Sequence, residues 1–386
     1  MADALNVQHP LGLLFIFGSH RQKIIPVRFS IKLRFLFICL LHWWMGGGST
    51  IQAQAVLDTS ARVIGLPVVF YSPDTRLGFG GGGVLTFYTK DAPQRSSVTF
   101  SLAFTQRKQV LIWFPYQIYL DRGKYIFYGE VGWYDYLYQF FGIGNGFDDE
   151  YLEKYTARFP LIKANFLRAY NKTQAAGLRI QYNDYRITRY EDGGLLPEGN
   201  IAGWDGGRSS GAGLVWWLDS RDDRFYPNKG WFVETSLYNE SRLTASDFRF
   251  SRLQVEGSNY RRINDKTVLA LQAAATFTVG DAPFFNLAQL GGPRRLRGYF
   301  DGKYRDRHLL MMQAEYRRIL YKRLGGVLFA GAGSVFGTPG ESLVWRPNAG
   351  LGLRFQLSKK QKLNVRLDYG FGVRSQGFYL TFGEAF

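Results

Sequence analysis

The stretch GGPRRLRGYFDG, residues 291–302, sets Arg294, Arg295 and Arg297 within four positions, flanks them with glycines and follows them with Tyr299. A guanidinium is a planar fork of donors that grips carboxylate or phosphate with two parallel hydrogen bonds. Gly291, Gly292 and Gly298 permit backbone conformations that other residues resist. The chemistry on offer is clamping of anionic oxygens. Buried, Arg297 needs a carboxylate partner, because an unpaired buried charge is strongly destabilising. Exposed, the same arginines bind phosphate.

A second cluster lies in LDSRDDRFYPNKGW, where Asp219, Asp222 and Asp223 stand close together. The spacing lacks the regular oxygen ligands and terminal glutamate of a calcium loop. Local ion pairs with Arg221, in a turn set by Pro227 and Gly230, are expected instead. Three of the four histidines (His9, His20, His42) and the single cysteine, Cys39, fall in the first 55 residues. Only His308 remains beyond them, too little for a multi-histidine metal site, and no cysteine is left for cysteine catalysis; a barrel-borne lipase would have to draw its Ser-His pair from His308 alone. The expectation is a protein without metal or cofactor that is not an enzyme.

These side chains must be positioned by strands. The 386 residues are 17% aromatic and 46% apolar with 45 glycines, yet mean hydropathy is −0.18. That excludes a bundle of membrane helices. Period-two alternation is plain in QKLNVRLDYGF, GLGLRFQLS and LLMMQAEYRRIL, a strand signature. In a membrane barrel the apolar face meets lipid and the polar face the lumen. Charges of both signs on the polar face (Glu315, Arg317, Arg354, Arg366, Asp368) suit a wet lumen. Aromatics in WFPYQIYL and VGWYDYLYQFF suit interfacial girdles. The final segment GFYLTFGEAF places Phe378, Leu380, Phe382 and Phe386 on one face.

The fold class is therefore all-β: a transmembrane antiparallel barrel of sixteen strands, eleven before residues 278–308 and five after, an even number. Residues 1–55 read as a signal peptide with an N-terminal extension, with basic residues, an apolar core Phe35–Leu41 and small residues up to Ala55. Residues 56–386 form the barrel. Net charge is +17 over the whole chain and stays basic without the first 55 residues. An exported basic protein meets anionic lipid head groups rather than nucleic acid.

Four stretches carry a resemblance: VVFYSPDTRLGFGGGG, LDSRDDRFYPNKGWFVE, LGGPRRLRGYFDG, and NAGLGLRFQL with NVRLDYGFG, ahead of a terminal Phe386. Together they resemble the BamA/TamA-type outer-membrane assembly and translocation barrels, the bacterial surface antigen family. The resemblance implies that Arg297, Gly298 and Tyr299 form the tip of an extracellular loop folded into the lumen. Glu315 and then Asp368 are the expected partners, with Gly331 standing where the family often has a wall aspartate. Asp219, Arg221, Asp222, Pro227 and Gly230 match the family's signature turn. The resemblance further implies a bacterial outer-membrane protein that inserts or translocates other proteins through a weak seam between its first and last strands. Pro67 marks the first-strand side of that seam, and Phe378, Phe382 and Phe386 on the last strand resemble the carboxy-terminal signal by which outer-membrane barrels are recognised for assembly. Expected partners are outer-membrane lipids and lipopolysaccharide, unfolded outer-membrane or exported proteins, and a separate periplasmic partner. The last is expected because about ten residues separate Ala55 from the first strand, too few for a POTRA domain. The competing expectation is a passive channel or structural outer-membrane protein.

Overall fold

The computed structural model describes residues 13–15, 61–72, 76–90, 92–146, 151–337, 342–358 and 362–386. The signal-peptide reading of residues 1–55 lies outside the described residues apart from Leu13–Phe15. Sixteen long strands follow. The first eleven are β1 (Arg62–Ser72), β2 (Arg76–Phe87), β3 (Ser96–Thr105), β4 (Val110–Leu120), β5 (Tyr125–Phe140), β6 (Glu153–Ala169), β7 (Gln174–Arg189), β8 (Gly206–Asp219), β9 (Gly230–Glu240), β10 (Arg249–Asn264) and β11 (Thr267–Asp281). After a loop come β12 (His308–Tyr321), β13 (Leu324–Phe336), β14 (Arg346–Ser358), β15 (Leu363–Gly372) and β16 (Ser375–Phe382). Each pairs antiparallel with its sequence neighbours in one sheet. Among the described residues no helix is long and apolar enough to cross a membrane, which says nothing about crossing by strands.

Alternation sets the two faces. Tyr316 of β12, Leu328 of β13 and Leu351 of β14 stand opposite one another and are exposed, forming part of an outward apolar belt. Glu315, one residue earlier, is completely buried on the inner side. A one-residue slip would exchange these faces, so the pattern fixes the register. The longest connections, 141–152, 190–205 and 282–307, lie at one end of the sheet. Short turns such as 121–124, 265–266 and 322–323 lie at the other. In outer-membrane barrels the short turns are periplasmic.

Three expectations change. First, no hydrogen-bonded ladder joins β1 to β16 among the described residues, so the sheet is not closed in the way sixteen paired strands would be. The ring of Phe382 instead lies 3.4 Å from where a Cβ on Gly82 of β2 would stand. Leu13–Phe15 runs antiparallel along the outer edge of β16, Leu13 opposite Leu380. Second, β16 ends at Phe382 rather than running to Phe386. Gly383 has φ +77°, and the chain turns inward, where Phe386 packs against Tyr260, Val268 and Ala270. Phe386 therefore leaves the face of Phe378 and Phe382.

The third change concerns the aromatics read as girdles. Tyr134, Tyr138 and Phe140 of β5 and Tyr119 of β4 are buried on the inner face, while Trp133 and Phe114 point outward. In runs this rich in aromatics both alternating faces receive rings, so composition does not tell lipid from lumen. On this side the lumen is a packed core. Tyr134 stacks on Phe159 at 5.0 Å and Phe159 on Tyr185 at 4.4 Å.

Candidate functional site

The loop between β11 and β12 folds into the lumen and is anchored twice. Its first turn, Phe284–Asn286, inserts Phe284 and Phe285 into the aromatic half. Phe285 stacks on Tyr185 at 4.2 Å, and Phe284 meets Phe140 edge-on at 5.6 Å. A three-residue ladder, Ala288–Leu290 with Tyr304–Asp306, closes the base of the loop. The tip between these strands then crosses to the wall formed by β12 to β16.

The register of that wall explains where the tip lands. Glu315, Phe329, Gly350, Gly370 and Gly377 stand in one inward row across five strands. An acid and an aromatic ring are followed by three residues without side chains, which leaves a shallow bay. Arg297 and Gly298 occupy it. A Cβ on Gly370 would lie 2.6 Å from the Arg297 carbonyl carbon, and one on Gly298, whose φ is +111°, 2.6 Å from the backbone of Phe371. Backbone lies against backbone here, so glycine is required on both sides.

Arg297 is wholly buried and ion-paired to both Glu315 and Asp368, the latter at 2.6 Å. Its guanidinium carbon sits 3.6 Å from the centroid of Phe329, a cation–π contact that adds to the ion pairs. Asn348 donates to the Arg297 carbonyl oxygen at 2.7 Å. Gly331 stands opposite Asn348, and a Cβ there would press on Gln313 and Asn348. An amide contact thus occupies the region where a wall aspartate is expected from the resemblance.

The charges extend beyond this clamp. Glu315 also holds Arg317 at 2.7 Å, and Asp368 holds Arg354 at 2.5 Å and Arg366 at 3.4 Å. Glu384, just past β16, takes Arg354 at 2.8 Å and Asn364 at 2.7 Å. Four guanidiniums thus share three carboxylates, and all seven side chains are buried. Low dielectric strengthens each pair and makes any unpaired member costly.

The tip is also fastened to the last hairpin. The Gly298 N–H donates to the Tyr379 hydroxyl at 2.8 Å, which donates in turn to the Tyr299 carbonyl oxygen at 3.1 Å. Ser375 donates to the Gly298 carbonyl oxygen at 2.7 Å. The Tyr299 hydroxyl bonds the Pro347 carbonyl oxygen and receives the Val373 N–H. Tyr379 and Ser375 belong to β16, one edge of the sheet.

Sequence reasoning named Arg297, Gly298, Tyr299, Glu315 and Asp368, and the structure brings these five together. It places Asp219, Arg221, Asp222, Pro227 and Gly230 elsewhere, at the short-turn end. There Asp219 bonds Arg221 and Arg224 at 2.9 and 3.0 Å, and Gly230 has φ +106°. Among the described residues no acidic or histidine cluster could hold a metal. Pro67 sits exposed in β1 opposite Gly81, and Phe378 faces outward on β16. Missed were Tyr379, Asn348, Phe329 and Glu384, together with Glu256 of β10, the partner that Arg295 reaches at 2.7 Å. The inward rows, once aligned, point to Phe329 and Tyr379; nothing local points to Glu256.

A model of the Omp85 superfamily domain matches residues 85–386. No curated protein matches in sequence. Among solved structures the fold is similar to BamA from Haemophilus ducreyi lacking POTRA domains 1-3, with a TM-score of 0.55 and 14% identity over 84% of this chain and 70% of that one. It is similar to CdiB from Escherichia coli, with TM-score 0.57 and 11% identity over 83% of this chain and 62% of that one. CdiB from Acinetobacter baumannii gives 0.54 and 13% over 84% and 60%. The chain therefore spans less than two thirds of either CdiB. With the domain match and the barrel architecture together, the chain belongs to the Omp85 superfamily and is a bacterial outer-membrane β-barrel.

Proposed function

We propose that this barrel aids the insertion or translocation of proteins at the outer membrane, using the β1/β16 seam as the place where a client strand pairs. The observation that carries this reading is that the loop tip bonds β16 through Tyr379 and Ser375, while no ladder ties β16 to β1 among the described residues. In a bilayer, unpaired backbone groups at a strand edge cost several kcal/mol each. Such an edge takes up an added strand by β-augmentation, main-chain hydrogen bonds supplying the affinity. The pairing of Leu13–Phe15 with β16 has this geometry. Pro67, lacking an N–H, weakens the β1 side, and Phe382 bridges to Gly82 without a backbone bond.

In this reading the Arg297 clamp keeps β16 in place while the edge is open. Clients are unfolded outer-membrane or exported proteins, captured by a separate periplasmic partner, with no cofactor and no nucleic acid involved. Lipopolysaccharide and outer-membrane lipid surround the barrel. The test is to reconstitute the protein in liposomes and time the insertion of an unrelated unfolded outer-membrane barrel. Insertion should be faster than in empty liposomes, and Arg297→Ala should abolish the gain. An unchanged rate together with a steady ion conductance would instead indicate a passive channel.

A further inference from the structure

The lipid-facing surface changes character where β10 to β13 reach the short-turn end. Arg261, Lys266, Arg318, Lys322 and Arg323 are all exposed there, in the turns 265–266 and 322–323 and the strand ends beside them. Register brings them together: Arg318 stands opposite Thr267, and Arg261 stands opposite Leu269, itself opposite Tyr316. None of the five is ion-paired among the described residues, and Asp265 is the acid between them. Five like charges on neighbouring strand ends repel one another unless anions are supplied from outside.

Their neighbours say where those anions come from. Ile263, Leu320 and Tyr321 are 53%, 56% and 65% exposed, interleaved with the cations on the outward face. The Lys322 ammonium lies 5.0 Å from the centre of the Tyr321 ring, and Arg318 donates to the Tyr316 hydroxyl at 3.4 Å. Aromatic rings and aliphatic side chains below, with long cationic side chains reaching up past them, are what a headgroup region selects. A soluble acidic protein would find the turn tips complementary but would leave Ile263 and Leu320 uncovered.

We propose that this patch is a binding site for anionic phospholipid of the periplasmic leaflet. The phosphate is held by Arg318, Lys322 and Arg323, and the acyl chains lie along Leu320 and the belt above it. Bound lipid neutralises the cluster and anchors β12, the strand that carries Glu315. The inference stands on the membrane-spanning fold and does not depend on what the seam does.

The test uses the full chain reconstituted in phosphatidylcholine vesicles with a spin-labelled lipid, either phosphatidylglycerol or phosphatidylcholine. The motionally restricted fraction is read by electron paramagnetic resonance. The protein should select phosphatidylglycerol on the order of ten-fold, a preference that shrinks in high salt. Replacing Arg318, Lys322 and Arg323 together by Gln should bring the ratio near unity. Arg318→Lys with Arg323→Lys should preserve it, as should Arg107→Gln with Lys108→Gln at the opposite end. No preference in the natural chain, or an equal preference in the triple variant, overturns the proposal and leaves an acidic soluble partner as the occupant of the patch.

Discussion

One loop is held in the lumen by two different kinds of physics. At its start, Phe284 and Phe285 are packed among Tyr138, Phe140, Tyr155, Phe159 and Tyr185, where affinity comes from apolar area and ring stacking. At its tip, Arg297 is gripped by Glu315 and Asp368 inside a network of discrete charges. Packing is non-directional and has no competitor that could replace it piece by piece. Charged contacts are directional and exchangeable: Arg317, Arg354 and Arg366 already share the same acids as Arg297. The aromatic anchor therefore suits permanent attachment, and the charged tip suits a contact that is rearranged.

The largest effect is expected from removing both acids. With Glu315→Ala and Asp368→Ala, four buried arginines keep only Glu384, and breaking buried pairs costs about 3–5 kcal/mol for each partner lost. The tip should leave the lumen while the aromatic anchor stays. Trypsin added from outside should then cut at Arg294 or Arg295, sites expected to stay protected in the natural chain. Resistance to trypsin equal to that of the natural chain would show that the acids do not hold the loop.

The next experiment separates the anchors quantitatively. Arg297→Ala is expected to cost about 3–5 kcal/mol through stranded carboxylates. Phe284→Ala is expected to cost about 3–5 kcal/mol through a cavity. Urea unfolding in micelles gives both values and that of the double variant. If the anchors are independent, the costs add to within about 0.5 kcal/mol. A coupling well above 1 kcal/mol would mean that the loop moves as one rigid body, and the distinction drawn between its ends would fail.

How much of this could be read from the residues depends on distance along the chain. Glu315 was legible because it lies on the strand after the loop, and its inward parity follows from Tyr316 and Met312 on the other face. Asp368 was legible by the same alternation in NVRLDYGFG. Glu256 was not, because its meeting with Arg295 needs β10 and the loop tip to be placed across the lumen, which no local pattern fixes. The direction of Tyr134 and Tyr138 was lost because VGWYDYLYQFF offers rings to both faces. Phe386 was misplaced because Gly383 breaks the alternation with a left-handed turn, and a glycine near a strand end gives no sign of which way the chain then goes.

The smallest effect is expected at Asp222, where the same residue types meet outside the membrane-spanning strands. Burial alone would lift its carboxyl. The backbone N–H groups of Asn228 and Lys229, the Asn228 side chain and nearby Lys362 more than offset that and hold it below the usual carboxylate range. A depressed folded value means that the contribution to stability is fully present above the unfolded value of about 3.9 and is lost as pH falls through the folded one. Arg262 lies 3.9 Å from Asp222 but is half exposed, so that pair is worth at most about 1 kcal/mol. Protection at Asn228 and Lys229, corrected for intrinsic exchange, should hold from pH 6 to about pH 4 in the natural chain and fall only as the pH is lowered further. In Asp222→Asn amide exchange should already be faster at pH 6, by about 1 kcal/mol of lost protection, and should show no further loss of protection on acidification once intrinsic exchange is allowed for. A loss as large as that of Arg297→Ala would mean that the turn is part of the lumen network, since water-facing carboxylates do not carry such energies.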